Sequence, residues 1–507
     1  MRELHTWGGL IFGWLLFVIF LTGTLAVFEP ELTHWMKPEL RGAQVSPVQA
    51  IATADKKLRQ IAPNADVWLI RLPNDRSPAL EVRWKKDKAT LKRYINPQTG
   101  TLIQDRQTEG GDFFAHFHYE LHSGKAGLWL VSAASLVMLA ALVSGIVIRK
   151  QVVKDFFRLK WRRTWLDAHC MTGVLTIPFV VLITYTGLVI NFMEIMPVAK
   201  QLHYKNPAGL YAEATHSVIR PRANMPVDLL PFTQLLPLAE EQLGKNNIAY
   251  IQVLNPGDKQ AVVNFMRRID DRILAITDRA SFDGVTGELL VSHTKWNTYV
   301  YIVRSLVGLH IAKFGGYTVS WIYFLFGLIS CVMIAAGLVF FTIKRRNRYA
   351  RSSLALQYAY RAAEALNTTV VTGGIIACTA YLWANRLLPL SVGDRADAEI
   401  TVFFCTWLLT MIHSFLRAPL RAWSEQLAVA AGLCLGLPVI NALTTKVGLF
   451  AAIPRGDWMT AGVDLTAIML GVLLGATAWY VYIKQNKNLQ TTTSVPQFIN
   501  TINSPVE

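Results

Sequence analysis

Histidine is the residue type in this chain whose placement could do chemistry. His5, His169, His122 and His310 each stand at the edge of, or shortly before, a long apolar run. An ionisable side chain beside hydrocarbon is costly and is kept where it has a task. Neutral imidazole is a good ligand for iron and other transition metals. One such histidine taken alone reads more simply as a hydrogen-bonding residue at a membrane interface. His116 and His118 lie just before His122, and a four-residue spacing would put His118 and His122 on one helical face. His413 falls in an apolar run near the C-terminus and reads as a structural residue. His34, His203, His216 and His293 read as solvated loop residues.

The elements that must position these side chains are membrane helices. Of 507 residues, 52% are hydrophobic and 17% charged, and mean hydropathy is +0.31, a poor match to a soluble chain. Eight stretches, near 7–28, 128–148, 169–193, 318–343, 365–384, 398–416, 424–443 and 461–483, have the roughly 20 apolar residues a helix needs to cross a bilayer. The net charge of +16 is concentrated beside these runs, so a lipid surface is the expected partner rather than nucleic acid. The 149–163 segment carries seven Lys and Arg against Asp155, and a second basic segment begins at Lys344. On the positive-inside rule both termini are cytoplasmic, and the long loops 29–127 and 194–317 lie on the far side. In a bacterium that is an inner-membrane protein with two periplasmic loops.

Several chemistries are excluded. The five cysteines sit in or beside the apolar runs, so no disulfide framework holds the exported loops. The sequence contains no CxxCH for covalent haem, no CxxC knuckle, no GxGxxG and no GxxxxGK[ST]. A built-in nucleotide or nicotinamide site is therefore not expected.

The chain also repeats itself. At an offset of 164, His5 falls on His169, Gly9 on Gly173, Thr22-Gly23 on Thr186-Gly187 and Phe28 on Phe192. Each exported loop then reads as an amphipathic helix (46–62 and 228–243) followed by short strands. Val67–Ile70 and Leu80–Trp84 match Ile248–Ile251 and Ala261–Phe265. The turns Asn96–Gly100 and Asp283–Gly287 each close on a glycine suited to positive φ. At an offset of 188, Leu121-His122 falls on Leu309-His310 and Gly127 on Gly315, leaving His116 and His118 opposite Arg304 and Leu306. Two copies in one orientation imply a pseudo-two-fold axis along the membrane normal. His5 would then face His169 near one surface, and His122 or His118 would face His310 near the other. Two imidazoles on opposite sides of one iron are the axial set of a haem, and nearby Gly8, Gly9, Gly13, Gly124, Gly127, Gly173, Gly315 and Gly316 leave room for a flat macrocycle or for close helix packing.

These residues resemble the PepSY-associated transmembrane family, which includes iron-regulated inner-membrane proteins and siderophore reductases. The resemblance is carried by Leu4-His5…Gly9…Thr22-Gly23, the Asn-Pro-x-Thr-Gly turn, His118-Tyr-Glu-Leu-His122-Ser-Gly…Gly127, Asp167-Ala-His169 and Leu309-His310…Gly315-Gly316, and it covers about 1–346. It implies a four-helix core, two periplasmic α+β domains, and two b-type haems held by His5, His169, His122 and His310, with His118 also matching. It further implies electron transfer to a ferric siderophore, releasing Fe(II).

The expected fold is thus a mainly α, polytopic membrane protein. The first repeat is 1–150, with its exported domain at about 29–127. A basic loop and the second repeat follow at 151–346, with the exported domain at about 194–317, and a four-helix extension and tail at 347–507. The expected activity is ferric-siderophore or ferric-chelate reduction, with electrons supplied from outside by quinol, a reduced flavin or a separate reductase. The alternatives are an iron-chelate permease, which would need more polar side chains inside the spans, and a periplasmic regulator of peptidases, which would need no histidines at membrane depth.

Overall fold

The computed structural model describes residues 1–42, 45–87, 89–148, 164–196, 218–275 and 277–493. The basic 149–163 segment, His203 and His216 lie outside the described residues. Two compact units divide the chain, residues 1–341 with 390–396, and residues 342–389 with 397–507.

The first unit opens with helices α1 (Leu4–Ile11) and α2 (Gly13–Ala26), which together are apolar enough for one span bent by 58°. The bend falls at Phe12, between Gly9 and Gly13, just after a π-helical turn at Leu4–Gly8. Glycines and π-turns are ordinary causes of a kink. Helix α3 (Glu29–Met36) and α4 (Pro47–Ile61) follow, the latter capped by the Ser46 hydroxyl. After four strands come the short α5 (Asp112–Glu120) and the long α6 (Gly124–Ile148). The second copy consists of α7 (Thr164–Ile195), α8 (Phe232–Leu243), four strands, the short α9 (Thr298–Ile311) and the long α10 (Gly316–Tyr349). In the second unit run α11 (Leu354–Leu387), α12 (Arg395–Leu416), α13 (Pro419–Thr445), the short α14 (Leu449–Ala452) and α15 (Trp458–Thr493). Among the described residues seven helices, or eight with the bent pair, are long and apolar enough to span a bilayer. They coincide with the eight stretches legible in the sequence. This is a multi-pass membrane protein.

The eight strands form one antiparallel sheet, in the order β4-β3-β2-β1-β5-β6-β7-β8. The first copy supplies β1 (Val67–Arg71), β2 (Leu80–Lys86), β3 (Ala89–Ile95) and β4 (Leu102–Ile103). The second supplies β5 (Ile248–Leu254), β6 (Val262–Arg267), β7 (Arg279–Asp283) and β8 (Leu289–His293). The two loops share this sheet through β1 and β5, each of which covers the edge the other would leave open. Their register places Ile70 opposite Ile251, the residues that fall on each other when Val67–Ile70 is laid on Ile248–Ile251. The pseudo-two-fold therefore passes between them.

Helices α4 and α8 share one hydrophobic core with the sheet, which includes Ile51, Ala54, Leu58, Phe232, Leu235 and Ala239 from the helices and Trp68, Ile70, Ile251 and Val253 from the central strands. Across the two copies the Asp55 carboxylate accepts the Phe232 amide at 3.2 Å, and within α4 it accepts the Arg59 guanidinium at 2.6 Å. Gly100 and Gly287 close their turns at φ +71° and +79°, as their spacing predicts. None of the five cysteines is in a disulfide.

Because the core is shared, Ile251→Ala should lower the opening free energy of both β1 and β5 amides by about 2–5 kcal/mol. Hydrogen exchange measures this. Loss confined to β5 and the rest of the second copy would mean that the two halves fold independently.

Candidate functional site

The first unit brings its histidines together in two pairs. The rings of His5, on α1, and His169, near the start of α7, have centres 6.1 Å apart and are inclined at 66°. Those of His118, on α5, and His310, near the end of α9, are also 6.1 Å apart, at 29°. The second pair lies on the sheet side, since α5 and α9 directly follow the strands. Fourteen residues of α7 separate His169 from Ile183, beside which His310 sits, a rise of about 21 Å at ~1.5 Å per residue.

Each imidazole is fixed through Nδ1. Nδ1 of His5 donates to the Ala141 carbonyl at 2.9 Å and that of His169 to Met333 at 2.8 Å. His118 Nδ1 donates to Ile19 at 2.8 Å, and His310 Nδ1 donates to the Thr186 hydroxyl at 3.1 Å, which itself lies 3.2 Å from the Ile183 carbonyl. Four residues after each of these carbonyls stands a glycine: Gly145, Gly337, Gly23 and Gly187. A Cβ on them would come within 3.1, 2.9, 2.6 and 2.9 Å of the respective histidine ring. The reason is helical geometry. A side chain at i+4 leans back over the preceding turn and screens the carbonyl of residue i, so only glycine leaves that carbonyl open to an imidazole. With Nδ1 donating, Nε2 keeps its lone pair, and among the described residues no protein group bonds it.

The geometry corrects the alignment of the second half of each copy. His118, not His122, faces His310, and the matching offset is 192 rather than 188. At 192, His118 falls on His310, Ala141 on Met333, Gly145 on Gly337 and Gly124 on Gly316. The Leu-His dipeptides had drawn the register one helical turn astray. Nor do His118 and His122 share a helical face: α5 ends at Glu120, and Leu121 and His122 both have φ +52°. The His122 ring instead packs on Phe113 with centres 5.8 Å apart. His116 is turned outward, 3.8 Å from Glu109. His34 is buried in α3 rather than solvated, and His293 packs on Trp296. In the second unit His413 bonds Glu425 at 2.8 Å and takes part in a network with Gln426.

Of the glycines singled out in the sequence, several serve packing. Gly13 abuts Leu338, and Gly127 has the Glu120 carbonyl where a Cβ would stand. Gly145 and Gly337 were missed, though the 192 offset pairs them. Two further devices hold the sheet-side helices. Gly111, whose amide donates to the Thr33 hydroxyl at 2.9 Å, seats α5 directly on the Glu29 backbone. On α9, the fully buried Arg304 donates to Asp278 at 2.9 Å and stacks on Trp296, whose indole N–H also donates to Asp278. Burial by itself would raise the Asp278 carboxyl, but hydrogen bonds from Arg272 and Trp296 and the charges of Arg272 and Arg304 outweigh it and hold the group below its usual range.

A depressed carboxyl contributes stability that is present above its unfolded value, 3.8, and is lost as pH falls through the lower folded value. Hydrogen exchange of α9 should therefore accelerate in acid below about that pH. Asp278→Asn should remove this dependence and cost on the order of 3 kcal/mol at neutral pH by stranding buried Arg304.

Among the described residues no three His, Cys, Asp or Glu side chains converge as a metal cage. Two imidazoles suit an ion whose remaining positions are filled by something other than protein. With about 2.0–2.1 Å for an imidazole–metal bond and about 1.1 Å from that nitrogen to the ring centre, two rings sharing one metal stand ~6.3 Å apart, close to both observed spacings. The donor set, the spacing and the open Nε2 atoms fit axial ligation of a haem iron. No curated protein matches the chain. The family model described as the PepSY-associated TM region matches residues 2–345, a span that includes both pairs and the whole sheet. The chain belongs to the PepSY-associated TM family.

Proposed function

We propose that this protein is a b-type haem-bearing membrane reductase that passes electrons across the bilayer to a ferric chelate, of the siderophore class, on the sheet side. The observation carrying this reading is two imidazole pairs with ring centres 6.1 Å apart, each ring beside a glycine and held through Nδ1, three by a helix carbonyl and His310 by the Thr186 hydroxyl. A haem bound at each pair would supply a one-electron centre. The chain's own contribution is to present Nε2 of each histidine in a single tautomer, with ring centres 6.1 Å apart, close to the spacing of two imidazoles on one metal. The Nδ1–H bonds raise the basicity of the imidazoles and keep their rings from turning. Two levels about 21 Å apart along the helices divide the crossing into shorter steps.

Ferric siderophores hold Fe(III) through hard oxygen donors, and Fe(II) is held less tightly by the same set. One electron therefore frees the metal while leaving the chelator intact. Electrons would come from quinol, a reduced flavin or a separate reductase, since the sequence contains no nucleotide motif. With the sheet on the periplasmic face of an inner membrane, and both termini in the cytoplasm, released Fe(II) enters the periplasm. A permease or a peptidase regulator would leave the four ordered imidazoles without a task.

The test is a reduced-minus-oxidised spectrum with haem quantification on purified protein. His118→Ala or His310→Ala should each remove about one haem of two, as should His5→Ala or His169→Ala, and His122→Ala should remove none. A colourless wild-type preparation from haem-replete cells would overturn the proposal.

A further inference from the structure

The two histidine pairs differ in what their anchoring carbonyls must share. At the sheet-side pair both have a hydroxyl at hand. Thr22 Oγ1 donates to Val18 at 2.8 Å and lies 3.3 Å from the Ile19 carbonyl that also receives His118. Thr186 Oγ1 donates to Leu182 at 2.7 Å, lies 3.2 Å from the Ile183 carbonyl and stands 3.1 Å from His310 Nδ1. At the other pair only one position is so furnished. Ser144 Oγ donates to the Ala141 carbonyl at 3.0 Å and lies 3.3 Å from His5 Nδ1. At the equivalent of Ser144 in the second copy stands Ala336, so no side chain there can compete for the Met333 carbonyl that holds His169. All three hydroxyl residues and Ala336 are buried, so water does not level the difference.

A carbonyl that already accepts a hydroxyl proton accepts an imidazole N–H less strongly, and a hydroxyl oxygen is itself a weaker acceptor than an amide. The less the Nδ1–H bond pulls on its proton, the less basic Nε2 becomes. A less basic axial ligand stabilises the ferric state less, which raises the reduction potential of the iron it holds. His169 bonds a carbonyl that receives no hydroxyl among the described residues, and His310 has the most divided bond.

We infer that Thr22, Thr186 and Ser144 are positioning residues that set unequal potentials at the two pairs, making the sheet-side centre the easier to reduce. Electrons then run toward the sheet domain. The inference rests on the haem reading above, and it supplies a physical basis for the direction stated there.

The experiment is a spectroelectrochemical titration of the full-length, haem-loaded protein, with the two midpoints assigned by their loss in His118→Ala and His5→Ala. The sheet-side midpoint should be the higher. Thr186→Val should lower it, Thr186→Ser should restore it, and Ala336→Ser should raise the midpoint at the other pair. Each shift should stay within about tenfold in the ratio of reduced to oxidised centre, ~59 mV for one electron. A lower sheet-side midpoint overturns the inference. So do unmoved midpoints in Thr186→Val and Ala336→Ser with haem content intact. Protein that binds no haem overturns the functional reading and this inference together, which separates the two failures.

Discussion

An imidazole at membrane depth has one N–H that cannot be left unbonded, and every carbonyl within a helix is already engaged by the amide four residues further on. His5, His118 and His169 meet this constraint with the second lone pair of a carbonyl on a neighbouring helix, uncovered by a glycine one turn further along, and His310 meets it at the equivalent place with the Thr186 hydroxyl. From that arrangement follow the tautomer, the orientation of each ring and the closeness of the helices, since a glycine contact lets two backbones approach. It also explains why α5 and α9 are short. They need carry only one histidine to the level of Ile19 or Ile183 before the chain turns back at Leu121 or Ala312 to begin a span.

The repeat makes this arrangement twice from one plan. His5 and Gly23 belong to α1 and α2 while their partners Gly145 and His118 belong to α6 and α5, and the second copy assigns its residues in the same way. Each histidine thus draws its acceptor from another helix of its own copy, while the ring it faces comes from the other copy. Neither copy could build a pair alone. The sheet obeys the same rule, with Ile70 and Ile251 meeting where the halves join, so the symmetry of the strands and that of the histidines are two views of one axis.

Much of this was legible in the residues. The eight apolar runs, the two central strands of each copy, both glycine-closed turns and the pairing of His5 with His169 follow from hydropathy and a gapless offset. The sequence left His118 and His122 both open as the partner of His310, and the offset of 188 went astray because local identity, Leu-His on Leu-His, is a weaker guide than register. A slip of four residues is one helical turn and leaves apolar periodicity almost unchanged, so nothing in the pattern resists it. What would have resisted it is the glycine spacing: Gly145 and Gly337 agree only at 192. The joining of two loops into one sheet was invisible for another reason. Whether an edge strand pairs with solvent, with a copy of itself or with a strand about 180 residues away depends on tertiary placement, not on its own sequence.

That join has a consequence for how the molecule is made. β1 emerges early, and its partner β5 follows only after α6 and α7 have been threaded and the second loop has reached the same side of the bilayer. At ~5–20 residues per second, the nascent first half waits roughly ten seconds or more with an open, apolar-flanked edge, able to pair with another unfinished chain. Biogenesis, rather than the finished fold, is where this protein is most exposed to misassembly.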